Sequence, residues 1–486
     1  MRYLKRLSRA ATMRHYGRIK KHLRTVSPKT VQKEGEARAL KAFERAADKV
    51  PAYRKILKEN GVKVKQIKSI GDFKERVPIL TKRKVFQEHK LRDVCVNGNV
   101  GNIRTLYSSS GQTGVFSYGV ETKAEAENAG LSLEFALSDV LDPVLNSTIL
   151  INCLPMGVEI HTNTVPVVRS SVREDIILSI ITKLKGEFAQ LVIVGEQLFL
   201  KKLFEKGVAQ NVGWKDYRMA VVTGAEYVAE STRTYFASLL GIDLGRKQTS
   251  QIVVNYGLSE LSSSIARESW ETVQIRRLAR KNKKLYDDIY GKDGTICAPI
   301  LQFNPYQNYI ETVTDDNGHE QMVVSMLEPR RKIPLIRYNT GDSVRLIEYE
   351  DFEQILVKYG RPDLVPPYRL PFAVMWGRFK ALELADGEKV YPECMKEALY
   401  ADFTVAESVT GNFRIQKYQK TADKTGDAAE IIIQLCPGVK DDGSMYPRLR
   451  PHVHQWLGKD YPVRFIPYYQ FPFGMTLDYE RKPKYL

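Results

Sequence analysis

From about residue 120 onward, short unbroken apolar runs alternate with longer segments whose apolar residues fall three or four apart. The runs Thr148–Cys153, Leu191–Val194, Met219–Val222 and Ile252–Asn255 are too short for helices and show no polar alternation. That is the pattern of strands buried on both faces. Between them, Lys123–Leu137, Val172–Lys185, Gln197–Lys206 and Ser231–Leu240 have the spacing of amphipathic helices. Together they predict an α/β fold with mostly parallel sheets covered by helices. Upstream, Ala37–Ala47 reads as a helix, and Val77–Lys82 as a short extended segment entering a helix capped by Thr81.

Around Trp376 the pattern changes. Residues 350–372 are rich in Pro, Tyr and charge and read as a linker or an irregular excursion. A hairpin-like segment (Leu382–Val390), a Pro-started helix (Pro392–Tyr400), a strand (Glu430–Cys436), a helix (Met445–Leu457) and a strand (Val463–Pro467) follow. The economical division is a large domain, 1–376, and a small α+β domain, 377–486.

With 43% hydrophobic residues in 486, the chain can bury a large core. No apolar stretch approaches the roughly 18 residues of a membrane span, so no transmembrane segment is expected. The five scattered cysteines, without a CxxC pair, point to a reducing, cytoplasmic setting rather than a disulfide framework or a zinc site. The formal net charge of +17 invites anionic partners. Much of it is local: residues 2–24 hold nine Lys or Arg, and no acid precedes Glu34. Residues 1–27 are open to three readings: a solvated basic helix, a surface for a membrane or an acidic carrier protein, or a transit peptide.

Five short motifs carry the candidate chemistry. Ser108-Ser109-Ser110-Gly111-Gln112-Thr113-Gly114 follows a strand-like stretch. Its small side chains, two glycines and many donors suit either a linker or a polyphosphate cradle. It is not the common triphosphate loop, because no Lys follows the last glycine. Thr223-Gly224-Ala225-Glu226 and Asn255-Tyr256-Gly257-Leu258-Ser259-Glu260 each follow a predicted strand. Arg337-Tyr338-Asn339-Thr340-Gly341-Asp342 follows the extended Ile333–Ile336, and Trp376-Gly377-Arg378-Phe379-Lys380 lies at the domain junction. Three of the five end predicted strands, where open α/β sheets bind ligands.

In this order the motifs resemble the adenylate-forming acyl- and aryl-CoA synthetases, in particular the branch similar to phenylacetate–CoA ligase. Tyr53-Arg54-Lys55, Val77–Lys82 and Pro334–Asp342 carry the branch-level likeness. The resemblance implies an acid–thiol ligase. Such an enzyme uses ATP and Mg to make an acyl-adenylate from an aryl or fatty acid, then transfers it to coenzyme A or a carrier protein's phosphopantetheine. It further implies that Ser108–Gly114 holds the β,γ-phosphates, and that Gly224, Ala225 and Glu226 line the adenine slot. Tyr256, between Asn255 and Gly257, would stack on the base. Ser259 would touch the α-phosphate, Glu260 would help hold Mg, and Asp342 would accept both ribose hydroxyls. Arg378 would reach ribose or phosphate, and Lys380 would be the hinge of a mobile small domain. Lys482, with Lys484 as its rival, would bridge the acid and the α-phosphate.

Some positions depart from that pattern. Gln112 stands where Thr or Ser is usual, Thr223 and Ala225 replace glycines, and no Gly precedes Lys482. Residues 271–290 are unusually basic (Arg276, Arg277, Arg280, Lys281, Lys283, Lys284) and read as an insertion or a docking surface. His161 reads either as a gate of the acyl site or as an ordinary loop histidine. Two other functions stay open: an acid–amine ligase using the same adenylate, and a basic nucleic-acid- or membrane-binding protein on a degenerate ligase scaffold.

Overall fold

The computed structural model describes residues 9–108, 116–155, 158–224, 226–247, 250–261, 263–292, 296–316, 318–378, 380–419, 427–471, 479 and 483–486. The unbroken apolar runs form the parallel half of an eleven-stranded sheet. β1 (Ile103–Ser108) and β2 (Tyr118–Thr122) form a separate antiparallel hairpin around the Ser/Gly segment. β3 (Thr148–Cys153), β4 (Val167–Arg169), β5 (Gln190–Gly195), β6 (Arg218–Thr223) and β7 (Gln251–Leu258) pair in parallel in the order 4-3-5-6-7. Successive residues point to opposite faces. Ile151 and Ile193 join the core under the helices Glu174–Lys183 and Gln197–Ala209, whereas Leu150 and Val192 face the helix Lys123–Leu137. Burial on both sides explains why these strands read as continuous apolar runs.

The other half of the sheet is antiparallel. It consists of β8 (Ser263–Arg267), β9 (Ile300–Phe303), β10 (Asn308–Thr314), β11 (Glu320–Met326), β12 (Tyr338–Ile347) and β13 (Phe372–Gly377). Their order from β7 is 8-9-13-12-11-10. The expected mostly parallel arrangement therefore occupies β3–β7, and the sheet as a whole is mixed. The stretch read as a linker or an irregular excursion begins with a helix, Tyr349–Lys358, whose Phe352 and Leu356 are fully buried against Phe372. Its Pro and charged residues mask an apolar stripe spaced by four. Nor are the basic residues of 271–290 all on the surface, since Arg276 is fully buried beside Glu230 and Glu268.

The N-terminal helix Arg9–Thr25 buries Tyr16 and Leu23, and Lys20 pairs with Asp139 at 3.0 Å. Arg14, Arg18 and Lys21 remain exposed. Among the described residues, no helix is long and apolar enough to cross a membrane.

The small C-terminal unit holds a short hairpin, β14 (Leu382–Glu383) and β15 (Lys389–Val390). It also has a three-stranded sheet of β16 (Val409–Gln419), β17 (Asp427–Leu435) and β18 (Val463–Ile466). The helices Pro392–Leu399 and Met445–Leu457 pack together on it.

Candidate active site

The site is built where β6 and β7 end side by side. Thr223 pairs with Val254, and the chain then turns at Gly224. A Cβ at Gly224 would lie 2.3 Å from the Asn255 carbonyl oxygen, so only glycine lets the two strand ends approach this closely. From Tyr256 the chain runs through Gly257 into the short turn Ser259–Leu261, which buries Glu260.

β12 supplies the opposite wall. Between the pairs Val323–Asn339 and Gln321–Ser343, β12 advances two residues further than β11, so Thr340-Gly341-Asp342 forms a bulge. Gly341, at φ +72°, provides the left-handed turn that re-aims the strand. The bulge buries Asp342, whose Oδ2 accepts a 2.5 Å hydrogen bond from the Tyr256 hydroxyl. Arg378 Nε stands 3.6 Å from Asp342 Oδ1. Four residues earlier on the same strand, Tyr338 donates its hydroxyl to Glu260 Oε1 at 2.8 Å, and Ser117 donates to Glu260 Oε2 at 3.4 Å. Burial and the adjacent carboxylates push both phenols well above the usual tyrosine range, so they stay protonated donors.

Two carboxylates are thus held at the strand ends by tyrosines of β7 and β12, one of them, Asp342, 3.6 Å from the Arg378 guanidinium. The flank of the Ser/Gly segment (Ser117), the 255–260 turn, the 337–342 bulge and Arg378 come together, and Gly224 abuts them through Asn255. Residues Ser109–Gly114, Ala225, Phe379 and Lys482 lie outside the described residues. Ser108 ends β1, while Lys380 and Lys484 are exposed. Asn255 accepts from Ser264 at 2.5 Å.

Some partners differ from those expected. The Glu226 carboxylate receives the Lys396 ammonium at 2.8 Å and the Tyr485 hydroxyl at 3.2 Å, both from the small C-terminal unit. Arg337, inside the recognised motif, is buried away from the cleft. It binds Glu311 at 2.8 Å and the carbonyls of Phe73, Lys74 and Val77, so its work is to fasten the N-terminal segment to the sheet. Leu80 then pairs with the β12 backbone beside Tyr338, which brings Lys82 to the cleft. Lys82 was not singled out from the sequence. Burial and Arg378 hold its ammonium below the usual lysine range, opposed by the charge of Glu260. Nothing in local spacing marks it, since the strand pairing that delivers it spans 258 positions. Thr81 does cap the following helix, accepting from Lys84 at 3.2 Å.

His161 sits on the hairpin. Its Nε2 is 2.5 Å from Glu121 Oε2, and Tyr107 donates to the same carboxylate oxygen at 2.7 Å. Glu121 is almost fully buried, and hydrogen bonding to it raises the histidine's pKa despite partial burial.

The donor set fits a nucleotide and its metal ion. Asp342 offers two acceptor oxygens for a diol, and Glu260 is a buried, oriented carboxylate of the kind that joins phosphates around Mg²⁺. Among the described residues, no cluster of three or more His, Cys, Asp or Glu could hold a metal by itself.

No protein-family model matches the sequence, and no curated protein does. Solved structures do match. 2-Hydroxyisobutyryl-CoA ligase in the postadenylation state, in complex with R3-HIB-AMP, superposes at a TM-score of 0.67 and 13% identity. The match covers 96% of this chain and 91% of that chain. The same ligase with 2-HIB-AMP and CoA in the thioesterification state gives 0.54 at 14% identity, covering 92% and 88%. At such low identity the likeness is one of architecture, and on that ground the chain has the fold of the adenylate-forming CoA ligases.

Proposed function

We propose that this chain activates a carboxylic acid with ATP as an acyl-adenylate and then passes the acyl group to the thiol of coenzyme A. The supporting observation is the meeting of Asp342, Tyr256 and Arg378 with Glu260, Tyr338 and Lys82 at the strand ends. Asp342 would accept both ribose hydroxyls and Tyr256 would lie against the base, with Gly224 and Ala225 forming the slot's floor. Ser108–Gly114 and Ser259 would hold the phosphates. Glu260 would take the Mg²⁺ that accompanies ATP, whose charge offsets that of the phosphates.

In the first step a carboxylate oxygen attacks the α-phosphorus and the bond to pyrophosphate breaks, pyrophosphate leaving with the electron pair. Arg378, Lys82 and Lys482 supply the positive charge that lets these anions approach. In the second, a thiolate attacks the acyl carbon and AMP departs with the electrons of the carbon–oxygen bond. The branch akin to phenylacetate–CoA ligase, and hence an aryl or fatty acid, is supported by Val77–Lys82 and Pro334–Asp342. The net charge of +17 suits anionic substrates such as ATP and coenzyme A.

The test is pyrophosphate release from ATP and Mg²⁺ across aryl, fatty, hydroxy and amino acids, with and without coenzyme A. Acid-dependent release, followed by AMP release that needs coenzyme A, is expected. AMP release that needs an amine instead would make the chain an amide-forming ligase. Absence of release with every acid, together with salt-sensitive binding to RNA or anionic vesicles, would replace the ligase reading with that of a degenerate scaffold.

A further inference from the structure

One contact has no task in the proposed reaction: the hold of the small unit on the connection between β6 and the helix Glu230–Leu240. That connection starts at Gly224, on the floor of the proposed adenine slot. Among the described residues it has neither strand nor helix of its own. Two neighbouring residues on the small unit's helix Pro392–Leu399 grip it. The Lys396 ammonium meets the Glu226 carboxylate at 2.8 Å, and the Lys396 carbonyl accepts from the Ser231 hydroxyl at 3.4 Å. Glu397 is 2% exposed. Its Oε1 accepts from the Tyr227 hydroxyl at 3.0 Å and from the Glu230 amide at 2.9 Å. Its Oε2 accepts from the Ser231 amide at 3.1 Å and lies 3.0 Å from Arg280 Nη2.

This grip supplies what the large unit lacks. Ala229, the N-cap residue of the helix Glu230–Leu240, has no side chain able to cap it, and Glu397 caps it from the other unit. The large unit has a hold of its own on the same connection. Arg276 donates to the Val228 carbonyl at 2.6 Å, and Gln197 donates to the Tyr227 carbonyl at 2.9 Å. The small unit is therefore the second of two hands. If it turns about the hinge expected at Lys380, Lys396 and Glu397 go with it. Two helix N-terminal amides and the Arg280 guanidinium then lose their carboxylate.

We propose that Lys396 and Glu397 couple the position of the small unit to the grip on the nucleotide, so that the adenine wall is tight in this pose and loosens when the unit turns away. Both are positioning residues that act through residues 226–231. The inference rests on the ligase reading and deepens it: once the acyl group has gone to the acceptor, AMP is left in a loosened slot and leaves. Coupling of this kind is reciprocal. Whatever factor the pose adds to nucleotide affinity, the nucleotide adds to the closing of the grip.

The test uses the full chain with ATP and Mg²⁺ as the probe, and needs no acid. Calorimetric titration should show ATP binding about tenfold weaker in Glu397→Ala, within the usual range of coupling between sites. Glu397→Gln, which keeps one acceptor, should lose about threefold. Saturating ATP and Mg²⁺ should slow hydrogen exchange of the Glu230 and Ser231 amides in the parent by about the same tenfold. In Glu397→Ala those amides should exchange faster from the start and gain less than about twofold from ATP. An affinity in Glu397→Ala within twofold of the parent, or parent exchange that ignores ATP, overturns the proposal. Should Glu397→Ala not fold, Glu397→Gln and the exchange response of the parent decide. The two readings fail separately. Coupled binding and exchange without pyrophosphate release from any acid sinks the ligase alone, and release without an exchange response sinks the coupling alone. A parent that binds no ATP sinks both.

Discussion

Asp342→Ala tests the proposed nucleotide site most directly. A carboxylate accepting both ribose hydroxyls makes two hydrogen bonds to a charged group, each about 1.5–3 kcal/mol. Losing both costs about 3–6 kcal/mol, or roughly two to four decades in affinity at about 1.4 kcal/mol per decade. The structure lowers that range. Asp342 Oδ2 already accepts from the Tyr256 hydroxyl at 2.5 Å, so one ribose bond replaces an existing one. The expected loss of ATP affinity is therefore about 100- to 1000-fold. Asp342→Asn, keeping one carbonyl acceptor, should lose about tenfold. Tyr256→Phe, which removes only the competing hydroxyl, should lose less than about fivefold if its ring is what meets the base. Calorimetric titration with ATP and Mg²⁺ needs no knowledge of the acid and reads all three. A dissociation constant for Asp342→Ala within threefold of the parent, in a protein with unchanged circular dichroism, would refute the ribose assignment.

Glu260→Gln should raise the Mg²⁺ concentration needed for pyrophosphate release by tenfold or more, the scale of a lost charged ligand, while Mg-free ATP binding changes little; an unaltered Mg²⁺ dependence would remove Glu260 from the metal site. Gly224→Ala drives a methyl into the Asn255 carbonyl at 2.3 Å, and should cost about 1–3 kcal/mol in urea unfolding with weaker ATP binding; a variant matching the parent in both would show that the strand ends can part freely. His161 has its pKa raised in the folded chain through Glu121. It therefore adds stability in full below its unfolded value of about 6.5, and that share is lost as pH rises through the folded value. Glu121→Gln should flatten the decline in the urea midpoint between pH 6 and pH 9, and an identical slope in both proteins would dismiss the pair.

The parallel half of the sheet was legible because burial on both faces writes an unambiguous signal. Thr148–Cys153 and the helix Lys123–Leu137 have in the structure the limits read from the pattern. The antiparallel half was not read as such. Its strands mix buried and half-exposed positions, and β12 carries a bulge that breaks alternation where the motif lies. The extended segment expected at Ile333–Ile336 consequently falls just before β12, and the motif itself is strand. The helix Tyr349–Lys358 was hidden for a related reason: three buried residues in a charged stretch weigh little in composition but hold the helix in place.

The candidate site divides along the same line. Asp342, Glu260, Tyr256 and Arg378 were visible because each sits in a short motif, and in two of these motifs the glycine, Gly341 or Gly377, takes the positive φ that the local turn requires. Lys82 acquires its place only through pairing of Leu80 with β12, a contact no window along the chain contains. Glu397 is the extreme case. In its own helix it looks like one more charged residue, and its worth comes from an uncapped helix that begins 167 residues earlier. In the sequence that helix reads from Ser231, a residue able to cap, so the missing cap at Ala229 shows only in the folded chain. A distant carboxylate then supplies what the helix lacks, and the supplier also joins the two units.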